Sequence, residues 1–235
     1  MQGNIRKKIE MSDQADKQPV QLQYPTANDR DNWLAYWKKR GQHWRTEPEI
    51  DGSRQISLAE CLSTEPDCVQ GIYPFKNIKL DRADVEWLLA NHENGRGPIN
   101  WSNENQHERK GLDLRGADLS QADLHNLPLA GIRGGLTWFP HNTELPEQLD
   151  IAAVHLDGAD LSGAYLEGAC LRGARLEKVR LSGAHLEEAD LSGAYMQKAI
   201  LRDVFLEKAT LVRTFLEGSI LIRAHLEGAR LRETH

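Results

Sequence analysis

Leucine recurs at every fifth residue through much of the C-terminal half of the chain. The first run of leucines occupies positions 114, 119, 124 and 129, and the second occupies every fifth position from 156 to 231. We call this position the centre of its repeat. Nineteen of these twenty centres are leucine, and the other is Met196. The residue two places earlier is alanine in thirteen repeats. Both positions are therefore predicted to face an interior.

This spacing fits neither a helix nor a flat strand. A step of five residues rotates an α-helix by about 140° and sends successive strand side chains to opposite faces. The chain must therefore turn once per repeat, after a short extended segment that places the leucine and the residue two before it on one side. Glycine two residues after the leucine, present in ten of the twenty repeats, favours the bend. Four corners close a square coil, and stacked coils bury the leucines.

The repeated motif is Ala-Asp-Leu-x-x, as in residues 117–121 and 159–163. It resembles the motif of the pentapeptide-repeat proteins over residues 112–131 and 154–233. The resemblance implies an all-β solenoid, a right-handed quadrilateral β-helix of about five coils.

Residues 132–153 interrupt the repeats and are predicted to form an inserted loop within the β-helix domain, residues 112–235. Because four repeats precede the interruption, Leu156 is expected to stack on Leu114. The loop carries Trp138 and Phe139, which the coil does not need. These aromatics either pack back on the rod or form an exposed anchor for a partner.

The N-terminal half divides into two parts. Residues 1–28 are polar without an apolar period and are predicted to be a flexible tail, in which Met11 is an alternative start. Residues 29–111 are predicted to form a small, mainly helical domain that caps the rod. Its first helix follows a cap at Asp29 or Asp31 and shares one apolar face among Trp33, Leu34, Tyr36 and Trp37.

A second helix is predicted from Asp81 to about Asn91. Residues 78–85 also match a degenerate copy of the repeat. The run of residues 87–89, Trp-Leu-Leu, breaks that register and favours the helix.

Composition narrows the class of protein. The chain has 235 residues, is 40% apolar and contains no long apolar run or secretory signal, so a cytoplasmic location without membrane contact is expected. Its three cysteines lack metal-site spacing and are expected to be reduced.

Residues 112–235 carry 13 Lys/Arg against 18 Asp/Glu, which is −5 of the net −6. Direct nucleic-acid binding is not expected of such a surface.

The acidic residues fall into columns when the repeats are folded into coils. One column holds Glu167, Glu187, Glu207 and Glu227, flanked by Tyr165, His185, Phe205 and His225. The opposite column holds Asp157, Glu177, Gln197 and Glu217. Coils stack at ~4.8 Å, where exposed like charges repel by roughly 0.9 kcal/mol before screening. The glutamates either keep the rod soluble or form an anionic and aromatic stripe for a basic partner.

No catalytic arrangement, metal site or cofactor is predicted. His185 and His225 lie two coils apart, ~9.6 Å, so one metal ion cannot bind both. Cys170 is interpreted as an incidental thiol rather than a nucleophile. We therefore predict a non-enzymatic scaffold that binds an unidentified protein through Glu167, Glu187, Glu207, Glu227, Tyr165, Phe205, Trp138 and Phe139.

The family resemblance implies an alternative function. Some pentapeptide-repeat proteins of the quinolone-resistance kind mimic DNA and bind type II topoisomerases such as gyrase. Five coils span ~24 Å, less than one ~34 Å turn of B-DNA. Duplex of that length carries about fourteen phosphates, against −5 on this repeat half.

The last coil suggests self-association. Solenoid ends are normally capped, and the sequence shows no capping helix after the repeats. A homodimer is expected to cover this open layer, with Ile220 and Ile222 near its rim. The layer consists of Leu216, Leu221, Leu226 and Leu231.

Overall fold

A computed structural model describes residues 24–26, 29–136 and 146–235. The predicted tail, with Met11, lies outside these residues except for residues 24–26, where the Tyr24 ring stacks on Trp33 at 5.8 Å. The described helices are α1 (Arg30–Lys39), α2 (Gly52–Leu62), α3 (Arg82–Gly95) and α4 (Pro146–Ala152), with a 3₁₀ turn at Glu104–Gln106. None of the helices described is long and apolar enough to cross a membrane.

The two helices expected from the sequence are confirmed. Helix α1 begins after Asp29, whose carboxylate accepts a hydrogen bond from the backbone of Asn32, and it buries Trp33 and Trp37. Helix α3 begins after Asp81 with a reciprocal capping box, and its regular geometry ends before His92. Helix α2, which buries Leu58, is an element that the sequence analysis does not predict.

The repeats form a four-faced rod of stacked coils. Residues twenty positions apart are joined by isolated parallel β-bridges, so each extended segment is very short. At each bridge the backbone pairs twice: the N–H of Leu166 donates to His185 O (2.7 Å), and the N–H of His185 donates to Ala164 O (2.9 Å). The four columns of bridged residues run 155–175–195–215, 160–180–200–220, 165–185–205–225 and 170–190–210–230.

Every corner of the rod has a left-handed backbone. The residue two places after the centre has positive φ in all twenty repeats, and in ten of them it is not glycine. Lys178 (φ 57°) and Glu188 (φ 61°) are examples. This conformation costs roughly 1–2 kcal/mol for a residue with a Cβ. The coil geometry therefore imposes the corner even where the sequence lacks glycine.

The core of the rod follows the repeat pattern. The centres from Leu114 to Leu211 are at most 2% exposed, and along this length the alanines two places before them are buried except Ala122, which is half-buried. Where a polar residue replaces alanine, its hydroxyl finds a backbone carbonyl: Thr214 donates to Leu191 O (2.9 Å), and Ser219 to Met196 O (2.6 Å). The departures from alanine thus remain compatible with a closed core.

The predicted register across the insertion is wrong by one repeat. His155 pairs with Asp118, so Leu156 stacks on Leu119 rather than on Leu114. The cause is a fifth repeat that the sequence hides, in which Arg133 pairs with both Asp113 and Cys170.

Residues 132–134 therefore continue the rod, and the insertion begins after them. Gly134 stands where the leucine is expected, because a Cβ there would lie 2.6 Å from Val154 Cγ1. Because this repeat lacks its leucine, the leucine period does not reveal it.

The segment before α3 adds one more rung to the rod. Lys79 pairs with Asp118, the N–H of Leu80 donates to Asp118 O (2.9 Å), and Leu80 is fully buried. The degenerate repeat is thus present at residues 78–80, and the helix follows it. Side chains from this half, among them Phe75, share one continuous apolar cluster with the leucines of the rod.

Candidate functional site: the acidic and aromatic face

One face of the rod carries two parallel rows of side chains. We call Glu167, Glu187, Glu207 and Glu227 the acidic stripe, and Tyr165, His185, Phe205 and His225 the aromatic stack. The rings of the stack lie nearly parallel, with centroids 5.1, 4.5 and 4.8 Å apart. Because these residues occupy the same bridged position in successive coils, the backbone register itself holds the rings together.

In the described part of the chain, the acidic stripe has no lysine or arginine partner. Among the residues that the structure describes, no Lys or Arg forms a salt bridge with any of its four glutamates, and His185 Nδ1 lies 3.0 Å from Glu187 Oε1. Burial raises the pKa of Glu167, and the charge of Glu187 adds to this effect. The stripe therefore concentrates negative charge that no described lysine or arginine offsets.

Other parts of the rod pair their charges between coils. Arg180 bonds to Asp160 (2.6 Å), and Arg213 to Glu233 (2.7 Å). Lys208 lies 3.3 Å from Glu188, only one residue away from the stripe in sequence. The rod geometry thus permits ion pairs between residues twenty positions apart in successive coils. The described residues form no such pair with the acidic stripe.

The N-terminal half reaches this face through Trp101. Its indole ring lies against Gly168, next to Glu167 in sequence, and stacks on His107 with ring centroids 4.1 Å apart. Sequence analysis missed this contact. No local pattern reveals it, because it joins the rod to a segment far away in the chain.

Two groups of side chains on this face have donor atoms close enough to surround a cation. The first contains Glu167, His185 and Glu187, and the second contains Glu207, His225 and Glu227. Within each group, one ligand atom from each residue lies within 4.8 Å of the others. The distance between His185 and His225 excludes one shared ion, but each histidine has two glutamates of its own beside it.

The remaining candidate residues lie elsewhere. Trp138 and Phe139 fall outside the described residues. Cys170 lies beside the backbone carbonyls of Gly135 and Leu136, each 3.6 Å from its Sγ, and burial raises the pKa of its thiol. This agrees with an incidental thiol. All three cysteines are free, as predicted.

The last repeats are less buried than the others. Their leucines are half-buried, and Leu231 is 47% exposed, whereas the corresponding leucines of the coil before are at most 1% exposed. Ile220 and Ile222 are also exposed beside them. An apolar layer is therefore accessible at this end of the described rod, formed by Leu216, Leu221, Leu226 and Leu231.

The fold and its exposed columns define a solenoid of very short repeats. A profile for pentapeptide repeats matches the chain in three overlapping segments, residues 150–183, 169–207 and 199–235. Residues 150–235 thus match the pentapeptide-repeat family, as the sequence motif indicated. No curated protein sequence matches the chain.

Solved structures of pentapeptide-repeat proteins are similar to part of the chain. One, from the thylakoid lumen of Arabidopsis thaliana, is 28% identical over 52% of this chain and 70% of its own, with a TM-score of 0.35. HetL, involved in heterocyst differentiation regulation in the cyanobacterium Nostoc, is 29% identical over 52% of each chain, with a TM-score of 0.26. QnrB1, a plasmid-mediated fluoroquinolone resistance protein, is 20% identical over 50% of this chain and 59% of its own, with a TM-score of 0.22.

Proposed function

We propose that the protein is a non-enzymatic interaction module whose rod, a right-handed quadrilateral β-helix as in its family, binds a basic segment of another protein. The binding surface consists of the acidic stripe and the aromatic stack. Trp101 and His107, which stack on each other next to Gly168, extend this surface toward the N-terminal half.

The observation that carries the proposal is the absence of cationic partners along the acidic stripe in the described part of the chain. Four carboxylates in successive coils repel one another, and a cation twenty residues away would relieve this, as Lys208 does for Glu188. A row of like charges kept at a fixed spacing is suited to a partner that supplies the opposite charge.

The chemistry of the face favours arginine in that partner. A guanidinium group binds a carboxylate through two parallel hydrogen bonds and also stacks on aromatic rings. Tyr165 is 47% exposed beside Glu167, so one arginine can contact a ring and a carboxylate together.

Affinity capture from a lysate of the source organism tests the proposal. The test variant changes all four stripe glutamates to Gln, and the matched control changes the acids of the opposite column, Asp157→Asn, Glu177→Gln and Glu217→Gln. We expect the wild type and the control to retain the same protein and the test variant to lose it. Circular dichroism should be unchanged in both variants.

Synthetic peptides make the same test quantitative. An arginine-rich peptide should bind the wild type, and its affinity should fall steeply as salt rises, because exposed charges are screened. The same peptide with lysine in place of arginine should bind more weakly. Equal retention of protein and peptide by the test variant and the control would show that the stripe serves only to keep the rod soluble.

A further inference from the structure

The acidic face contains the same arrangement of three side chains twice. In each, a histidine of one coil lies beside the glutamate two residues after it and beside the glutamate of the preceding coil. The first triad is Glu167, His185 and Glu187, and the second is Glu207, His225 and Glu227, displaced by two coils. The two histidines are too far apart to bind one ion together. The stacking of the coils instead gives each histidine its own pair of carboxylates.

The carboxylates of these triads contain buried oxygens without partners. The Oε2 atoms of Glu167, Glu187 and Glu207 are inaccessible to solvent and have no hydrogen-bond partner in the described structure. A buried unpaired carboxylate oxygen is costly, and two adjacent carboxylates add their mutual repulsion. A positively charged ion bound at the triad would give these oxygens a partner.

The imidazole ring of the first triad is held in place. His185 is stacked between Tyr165 on one side and Phe205 on the other, with interplanar angles of 7° and 8°. A fixed ring reduces the entropy lost on binding, which is the usual benefit of a preorganised ligand. His225 stacks on Phe205 and, together with Glu227, is exposed.

We propose that Glu167, His185 and Glu187 bind one divalent metal ion of the zinc class, and that Glu207, His225 and Glu227 bind a second ion more weakly. One imidazole nitrogen and two carboxylate oxygens suit Zn²⁺ or Co²⁺, whereas Mg²⁺ and Ca²⁺ prefer oxygen alone. Three protein ligands leave the remaining position of a tetrahedral ion to water. The weaker site follows from its greater exposure.

Metal binding requires only a small movement of the side chains. Two ligands at ~2.1 Å from one ion are at most ~4.2 Å apart, so donor atoms now up to 4.8 Å apart must approach slightly. His185 Nδ1 is already 3.0 Å from Glu187 Oε1.

This inference does not depend on the proposed protein partner. It concerns the ion alone, and it is measured without any other macromolecule. Two bound ions would, however, offset up to four negative charges on the face and so compete with a basic partner segment.

The experiment titrates tag-free protein, stripped of metal with a chelator, with Zn²⁺ in a calorimeter and with Co²⁺ in an absorption spectrometer. We expect two ions per chain. The His185→Ala and Glu187→Gln variants should each weaken the tighter site at least tenfold and leave the weaker one. The His225→Ala variant should remove the weaker site alone.

The control is His155→Ala, which removes an imidazole from the opposite face, where Arg175 occupies the next coil. It should bind both ions as the wild type does, and circular dichroism should report a folded rod in every variant. Because Gln has nearly the same shape as Glu, the Glu187→Gln variant still tests the site if an alanine variant fails to fold. Absence of binding at 100 μM metal, or the same loss in His155→Ala as in His185→Ala, would overturn the proposal.

Discussion

The indole ring of Trp101 lies so close to Gly168 that a Cβ atom on this glycine would be 2.1 Å from Cη2 of the ring. Gly168 occupies a corner of the rod with φ of 63°. The contact fastens the loop around Trp101 to the face that carries the acidic stripe. The backbone of the N-terminal half pairs with the first coil at Asp118, and the indole contact joins the same half to the next coil as well.

Replacing Gly168 with Ala should destabilise the protein more than the same change at Gly183. Both glycines have left-handed backbones, so each substitution costs roughly 1–2 kcal/mol. Gly183 has open space around it, whereas Ala at position 168 must also displace Trp101, at a further cost of about 1–3 kcal/mol. Urea denaturation measures both. Equal midpoints would contradict the packing of the indole on this corner.

The Glu167→Gln variant should be more stable than the wild type at pH 7 and equal to it near pH 3. Burial raises the pKa of Glu167 in the folded chain, so the folded state binds more protons than the unfolded state. The contribution of Glu167 to stability is therefore greatest below its pKa in the unfolded chain, and it falls as pH rises through its higher pKa in the folded chain. Thermal unfolding across this pH range measures the effect. The exposed Glu177→Gln change is the control and should leave the profile unaltered.

The Arg82→Met variant should lose about 3–5 kcal/mol of stability, because it leaves the buried carboxylate of Glu86 without its cation. Arg82 Nε donates to Glu86 Oε1 (2.8 Å), and its Nη1 donates to His125 O (3.1 Å), which links α3 to the rod. Burial already raises the pKa of Glu86. Chemical denaturation measures the loss.

Arg54→Met is the comparison for Arg82→Met. Its partner Asp84 is buried, but the Arg54 side chain is 32% exposed, and Asp84 also accepts a hydrogen bond from the backbone of Asp81. We expect a cost closer to ~1 kcal/mol. A loss as large as that of Arg82→Met would show that exposure does not separate the two ion pairs.

We propose that the accessible apolar layer at the last repeats pairs with a second copy of the chain. Light scattering at tens of micromolar should give the mass of a dimer. Combined Leu226→Glu and Leu231→Glu changes should give a monomer with unchanged circular dichroism, because a charge in a closed apolar interface is costly. Changing Leu34→Glu on α1 is the control. A monomeric wild type would rule the dimer out.

DNA mimicry predicts a different outcome from the interaction module. A mimic should inhibit gyrase supercoiling, or protect gyrase from a quinolone, at low micromolar concentration. The charges along the rod are partly paired, as with Arg180 and Asp160, and so do not reproduce the continuous charge of a duplex. We therefore expect no effect in either assay, and inhibition would favour the mimic.

The stacked coils follow from the sequence, because the leucine period requires one turn for every five residues. The columns of the long run follow as well, since residues twenty positions apart in an uninterrupted solenoid occupy the same place in successive coils. The leucine period could not reveal a repeat that lacks its leucine. Gly134 hides the fifth repeat, and the register across the insertion was mispredicted for that reason.

The sequence by itself thus determined the repeat architecture and the presence of four glutamates and two histidines on one face, because both depend only on spacing along the chain. Only the tertiary structure decided how those residues meet. The depth of Glu167, the pairing of each histidine with its own carboxylates, and the contact of Trp101 with Gly168 depend on distances between coils and between the two halves of the chain. Such distances are set by packing, which no local pattern records.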